Sequence, residues 1–185
     1  MSAPSPSPAE RVASLIRVRQ FREFTAESPS PAELHAIGEV ARWSGSSSNQ
    51  QPWRFVTVRA VDTLRRIAVA GAPQTRSLET APSAIAIVLP DEPGHRLLHA
   101  YDEGRAAERI FIAASLLGLG AGISWIRDDV RDAVREILGL PPDRFVRTVV
   151  ALGHPTEAAR RPKSAPGQAR RPRAEMVFED RWPAS

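Results

Sequence analysis

Trp43-Ser44-Gly45-Ser46-Ser47-Ser48-Asn49-Gln50-Gln51-Pro52-Trp53-Arg54-Phe55 joins a serine-rich turn to an aromatic strand. Four hydroxyls, side-chain amides and Gly45 fall within eight residues, the composition of a turn whose side chains bond their own backbone. Proline then fixes the exit and two aromatics follow at once, so the loop is held firmly enough to present amides to a heterocycle. Downstream, Trp53 to Arg59 alternates in β-forming residues and reads as a strand. Upstream, Ser30-Pro31-Ala32-Glu33 places serine at an N-cap, proline at the first helical position and glutamate within reach of the cap amide. It starts a helix running to about Trp43, with Leu34, Ile37, Val40 and Ala41 inward. Ser7-Pro8-Ala9-Glu10 is the same signal and predicts a helix to about Gln20, with Val12, Leu15 and Ile16 on one face.

Beyond the strand, Asp62 caps a helix with Leu64, Ile67 and Ala68 facing in. Ser83 to Leu89 reads as a buried strand, and His99 to Leu117 as a long helix ending at Gly118 and Gly120. Its Ala106, Ala107, Ala113 and Ala114 permit close approach of another helix. Ile123 to Ile126 is a brief strand, Asp128 to Leu138 a helix closed by Gly139, and Phe145 to Leu152 a last core strand. The pattern is a mixed α/β chain with helices flanking one sheet.

At 185 residues and 42% apolar content, the chain can bury one core and is short for two. No window approaches the roughly 18 apolar residues of a membrane span, and the first residues alternate Ser and Pro, so a soluble, cytoplasmic protein is expected. Zero cysteines exclude disulfides, thiolate metal sites and cysteine nucleophiles, leaving redox chemistry to a bound cofactor. The net charge of +4 is local. Arg160, Arg161, Lys163, Arg170, Arg171 and Arg173 leave 19 bases against 21 acids elsewhere, so the body is not a polyanion binder. After Gly153 the chain is rich in Pro, Arg, Ala and Gly, too polar to fold alone, until Met176-Val177-Phe178. That run argues for docking, as an added strand or against a second subunit. His35, His95, His99 and His154 are scattered, and His95 with His99 reads as a surface pair with no third metal ligand.

Arg17, Arg19 and Arg22 close the first helix or follow it, and their planar forks suit phosphate. Arg19-Gln20-Phe21-Arg22-Glu23-Phe24-Thr25 followed by Ser46-Ser47-Ser48-Asn49-Gln50-Gln51-Pro52-Trp53-Arg54-Phe55 resembles the nitroreductase family of FMN-dependent oxidoreductases. Further matches come in order: Ala81-Pro82, Asp102-Glu103-Gly104 opening a helix that ends Leu117-Gly118-Leu119-Gly120, Leu138-Gly139-Leu140-Pro141, Leu152-Gly153-His154-Pro155, and Arg170-Arg171-Pro172. The likeness covers nearly the whole chain from about residue 10.

The resemblance implies an α+β fold with a central, mostly antiparallel sheet flanked by helices, forming an obligate homodimer. It implies a disordered N-terminus over 1–8, an FMN-binding domain over 9–155, and a basic extension over 156–185 that docks on the partner. Arg19, Gln20, Phe21 and Arg22 would hold the flavin phosphate, ribityl chain and ring edge. Gly45, Ser46, Ser47, Asn49 and Gln51 would meet the ring from the partner subunit. Gly122 to Trp125, Ser124 and Trp125 included, would offer backbone contacts, and Arg170 or Arg171 would complete the phosphate site. The alanine-lined helix becomes a dimer seam. NADH or NADPH would donate the hydride and a nitroaromatic, quinone or similar flat molecule would accept it, with no nucleic-acid or membrane partner. The absence of a Gly-rich dinucleotide fingerprint fits a donor that docks transiently.

Departures from the family pattern are Val18 where many members carry a base, Gln20 where serine is usual, and Gly45 where proline is usual. The region from Ala60 to Pro82 is too short for the lid helices of larger members. A flavin or deazaflavin carrier of the same fold is the alternative, and a polyanion-binding module acting through the tail is a third reading.

Overall fold

The structure, a computed structural model, describes residues 5–165 and 168–182. The expected disordered segment over 1–8 lies partly outside the described residues. Of the rest, Ser7 closes a capping box with Glu10 and Pro8 is already helical, so α1 is Pro8–Ile16. The same box at Ser30 and Glu33 starts α2, Pro31–Arg42. Then follow β1 (Arg54–Val58), α3 (Val61–Ala70), β2 (Ser83–Pro90), α4 (Arg96–Leu116), β3 (Gly120–Trp125), α5 (Arg131–Leu138), β4 (Arg144–Gly153) and a single turn, α6 (Glu157–Arg160).

The four strands form one antiparallel sheet in the order β1-β2-β4-β3. Every residue of β2 is buried, the result of lying inside the sheet with both faces covered. Period-two alternation sends Ile85, Ile87, Leu89, Val150 and Leu152 to one face, where α2 and α4 pack. Ala84, Ala86, Val88, Val149 and Ala151 go to the other, against α3 and α5. The alternation slips once. At a bulge between Ile87 and Val88, Thr148 pairs with Ile87 and Val146 with Val88, leaving Arg147 as the extra residue of β4.

Several elements differ from the sequence reading. α1 stops at Ile16 because the chain from Gln20 onward is taken by the open edge of β3. Phe21 N–H donates to Ala121 C=O at 2.8 Å, Phe24 N–H to Thr80 Oγ1 at 3.1 Å, and Thr25 N–H to His154 C=O at 2.8 Å. β3 starts at Gly120, three residues earlier than expected. A Cβ on Gly122 would stand 2.1 Å from the Phe21 carbonyl oxygen, and one on Gly120 would stand 2.4 Å from Pro155 Cγ. These glycines are strand residues that make room for the Phe21 backbone at Gly122 and for the Pro155 and Phe21 rings at Gly120. Asp62 sits inside the first turn of α3 rather than capping it, since Ala60 holds the N-cap. Ala106, Ala107, Ala113 and Ala114 are buried within this chain, so they are not a seam for a second copy. Met176-Val177-Phe178 forms no strand, and Phe178 stacks edge-on against Trp182 with ring centroids 5.0 Å apart.

Gly122→Ala should therefore push the 20–25 segment off the sheet edge, costing about 1–3 kcal/mol from overpacking. Thermal unfolding checks this, and an unchanged midpoint would mean that the edge contact is not tight.

Candidate active site

The segment from Val18 to Arg22, β3, the β4 bulge and α4 enclose a cavity of about 830 Å³. α4 contributes Ala100, Glu103, Gly104, Ala107, Glu108 and Phe111, which fall at helical spacing on one stripe. Three of the six are Ala or Gly, and their missing side chains provide the space. Ile123 and Trp125 supply apolar lining, and Arg19, Arg22 and Arg170, with Gln20, supply the cationic part. Gln20 and Arg22 also border two smaller concavities, one beside Pro73, Gln74 and Arg76 and one beside Lys163.

β3 is an edge strand, and its outer side is only partly used. In an antiparallel ladder alternate residues turn their peptide groups to the partner strand and away from it. Ala121 faces outward and bonds Phe21, whereas Ile126 N–H donates inward to Arg147 C=O. Ile123 and Trp125 therefore present their peptide groups at the open edge beside the cavity. Ser124 lies on the opposite side of the strand, wholly buried, with its hydroxyl 2.6 Å from that of Ser77. Its side chain has no access to the cavity.

Of the residues singled out in the sequence, Arg19, Gln20, Arg22, Trp125 and Arg170 thus meet in one place. Phe21 turns to the adjoining concavity, with the Arg19 guanidinium 4.9 Å from its ring centre, and Arg19 also donates to the Arg160 carbonyl. Arg171 does not line the cavity. Gly45, Ser46, Ser47, Asn49 and Gln51 of the serine-rich turn do not line this cavity. Both Asp102 carboxylate oxygens accept from Ser47 N–H, at 3.2 and 3.1 Å. Gln51 N–H donates to Ser46 Oγ at 2.9 Å, and Gln51 Nε2 donates to Asn49 Oδ1 at 3.1 Å. Ser48, Asn49 and Gln51 all have positive φ. Gly45 lies under Arg105, whose Nη2 would stand 2.2 Å from an added Cβ.

Three residues of the cavity went unnoticed in the sequence: Glu103, Arg147 and Thr148. The bulge puts Arg147 and Thr148, consecutive in β4, on the same face. Arg147 Nη1 lies 3.6 Å from Glu103 Oε2, and its guanidinium is 6.0 Å from the Trp125 ring centre. Glu103 is buried, 3% exposed, and its Oε1 has no hydrogen-bond partner among the described residues. Burial pushes its carboxyl above the usual carboxylate range, while Thr148, Arg147 and Arg131 oppose that rise and only partly offset it. The available signal was a buried-side acid at helical spacing from Ala100, Gly104 and Ala107. Asp102-Glu103-Gly104 does not open α4, which begins two turns earlier at Arg96.

His99 is buried rather than a surface residue, and Glu92 bonds His95 at 3.0 Å. No group of three metal-ligating side chains occurs among the described residues, and no helix there is long and apolar enough to cross a membrane.

Comparison with known proteins agrees with the fold and gives the family. The model of the Nitroreductase family matches residues 18–87, the segment that carries Arg19 to Arg22 and the serine-rich turn. A relative from Archaeoglobus fulgidus, provisionally named an NADH dehydrogenase/NAD(P)H nitroreductase, is 30% identical over 146 residues, 75% of this chain and 82% of the relative. An oxygen-insensitive NADPH nitroreductase from Helicobacter acinonychis is 35% identical over 96 residues, and that match spans 45% of its length. The solved structure of an FMN-dependent nitroreductase from Clostridium difficile superposes with a TM-score of 0.76 at 21% identity, covering 91% of this chain and 99% of that one.

The raised Glu103 carboxyl has a sign that stability can report. A folded state that holds a proton more tightly than the unfolded chain gains stability below the ordinary glutamate range and loses it as pH climbs through the raised value. Glu103→Gln removes that loss, so its unfolding midpoint should rise relative to the parent's as pH increases from acid to neutral. A gap that stays constant with pH would show that the carboxyl is not shifted upward.

Proposed function

Because the chain belongs to the nitroreductase family of oxidoreductases, we propose that it is an FMN-dependent enzyme moving a hydride from NADH or NADPH to a nitroaromatic, quinone or similar flat acceptor. The observation that carries this reading is the cavity's polarity. Arg19, Arg22 and Arg170 line it together with the apolar Ile123 and Trp125, whose peptide groups are open at the strand edge. That donor set fits FMN: guanidinium forks for the phosphate, Gln20 for the ribityl chain or ring edge, and the edge of β3 for the ring. The chemistry supplied by bound FMN is acceptance of a hydride from the nicotinamide and its return to the acceptor.

The chain's own residues bind and orient. Arg19 is stiffened for this by its bond to the Arg160 carbonyl and its contact with Phe21. The backbone after it is pinned by the bonds of Phe21, Phe24 and Thr25, so the cationic part is set before anything binds. Residues 156–185 act in this reading as an extension that brings Arg170 to the phosphate.

The same reading makes the protein a homodimer. Val12, Leu15 and Ile16 of α1, Leu97, Tyr101 and Leu116 of α4, and Met176 and Trp182 of the tail are exposed large apolar residues, more than a lone soluble chain ordinarily shows. A second copy would cover them and bring its serine-rich turn to the cavity. The mass in solution should be that of two chains, and a concentration-independent single-chain mass would remove this part of the proposal.

The visible spectrum tests the activity. The purified protein should be yellow, bleach anaerobically with NADH or NADPH, and recover on adding a quinone or nitroaromatic. A yellow protein that does not bleach would leave flavin or deazaflavin carriage, and one that takes up no FMN would sink the site. Arg19→Ala should weaken FMN binding about tenfold or more, from a charge-assisted bond of about 1.5–3 kcal/mol. Arg160→Ala with Arg161→Ala should not, because Arg160 contributes its carbonyl.

A further inference from the structure

We propose that the concavity beside Gln74 and Arg76 receives the substituent of the electron acceptor and selects acceptors that carry a carboxylate on their ring. The inference rests on the oxidoreductase reading above and names a substrate class for it.

This concavity, of about 400 Å³, adjoins the main cavity and shares Gln20, Arg22, Ile123 and Trp125 with it. It is the space left beside the strand edge assigned to the flavin ring, and its volume falls in the range of small-molecule sites. Pro73, Gln74, Arg76 and Ser77 complete its lining. Among the described residues that line it there is no carboxylate, whereas Arg22 and Arg76 are both cations. The Ser77 hydroxyl is committed to that of Ser124, at 2.6 Å.

Gln74 adds a donor. Arg127 Nη1 lies 2.7 Å from its Oε1. A guanidinium only donates, so the amide oxygen is taken and the amide nitrogen remains for a ligand. Gln20 apart, the side chains left free around the concavity thus offer N–H groups, the complement of a carboxylate, whose oxygens only accept. Arg76 is available for this. Its Nη2 meets Glu23 Oε1 at 3.3 Å with both side chains about half exposed, and such pairs are held weakly.

The loop that carries these donors is fixed in advance. Arg127 also donates to the Ala72 carbonyl at 2.9 Å and is itself gripped by Asp129 through two bonds of 3.0 Å. Thr75 Oγ1 donates to the Ala68 carbonyl at 2.8 Å, and Arg65 to the Ala81 carbonyl at 3.0 Å. Donors held in place before a ligand arrives lose little freedom on binding it.

Para-nitrobenzoate and its methyl ester form the test pair, since they share ring and nitro group and differ in charge. With the NADH- or NADPH-reduced holoprotein the carboxylate should have the lower KM, and Arg76→Gln should shrink that preference about fivefold, the upper range for an exposed ion pair. An unchanged preference overturns the assignment. So does loss of bound flavin from the variant, which would give Arg76 to the cofactor, or a larger rise in the KM for NADPH, which would give it to the donor. Unreactive benzoate supplies a readout apart from turnover. Titrated into the oxidised holoprotein, it should perturb the flavin absorption bands with a Kd that rises with salt and in Arg76→Gln. No perturbation, or a Kd indifferent to both, also overturns the assignment. Should the variant not fold, the parent decides: salt should raise the KM for nitrobenzoate relative to that for the ester, and parallel salt profiles refute the idea. If neither nicotinamide bleaches the flavin, the oxidoreductase reading fails, whatever benzoate does. If bleaching is normal and acid and ester behave alike, only the anion preference is lost.

Discussion

Three missing β-carbons set the terms for the rest of the molecule. At Gly120 and Gly122 the edge of β3 is bare, and at Gly153 the end of β4 is bare, where a Cβ would stand 2.7 Å from Pro82 Cδ and 3.2 Å from the Phe24 ring. At Gly122 the Phe21 backbone approaches, and at Gly120 and Gly153 the rings of Pro155, Phe21, Pro82 and Phe24 fill the space a Cβ would take. The segment from Gln20 to Thr25 uses that approach to bond along the sheet, and Arg19 and Arg22 are carried into position with it. The cationic part of the cavity is thus a consequence of sheet packing more than of any attraction among the arginines, which repel one another.

α4 organises the other wall by its periodicity. Its buried alanines pack inward, its Ala100, Gly104 and Ala107 recede to leave a cavity, and its two buried acids diverge. Asp102 and Glu103 are adjacent in sequence and about 100° apart around the helix axis. Asp102 fastens the serine-rich turn through Ser47, and Glu103 looks onto the cavity beside Arg147. One helix therefore couples the loop proposed to serve a second subunit to the wall of this chain's own site. Neither acid could be exchanged for an apolar residue without leaving a donor or a cation short of a partner.

Much of this was legible in the sequence wherever the determining physics is local. The capping boxes at Ser7 and Ser30 are each closed within four residues, and both helices start where those residues say. The left-handed glycine after α5 is equally local. Arg19, Gln20, Arg22, Trp125 and Arg170 could be grouped only through family likeness, since nothing in their spacing brings positions 22 and 170 together. The end of α1, the start of β3 and the destination of the α4 alanines were misjudged for one reason. Each is decided by a partner segment distant in the chain, and helical or strand propensity carries no information about that partner. Glu103 and Arg147 were missed because their meeting requires a bulge in β4 that alternation alone does not announce.

That bulge separates two kinds of constraint on a position. On either side of Arg147 the strand obeys the two-residue rhythm, but the halves are out of phase: Phe145 shares a face with Val150, and Val146 with Val149. With one residue removed, plain alternation would still carry Phe145 and Val150 on one face, so what the bulge adds is Arg147 itself, beside Thr148 on the cavity side. The side chain at 147 is unpaired in the ladder and lies between Glu103 and the rings of Trp125 and Phe145. Deleting the place would leave an unbroken ladder without this wall residue, whereas changing the letter alters what stands opposite Glu103. Among descendants of a common ancestor, the wall of the cavity can change its chemistry here without any renegotiation of the fold.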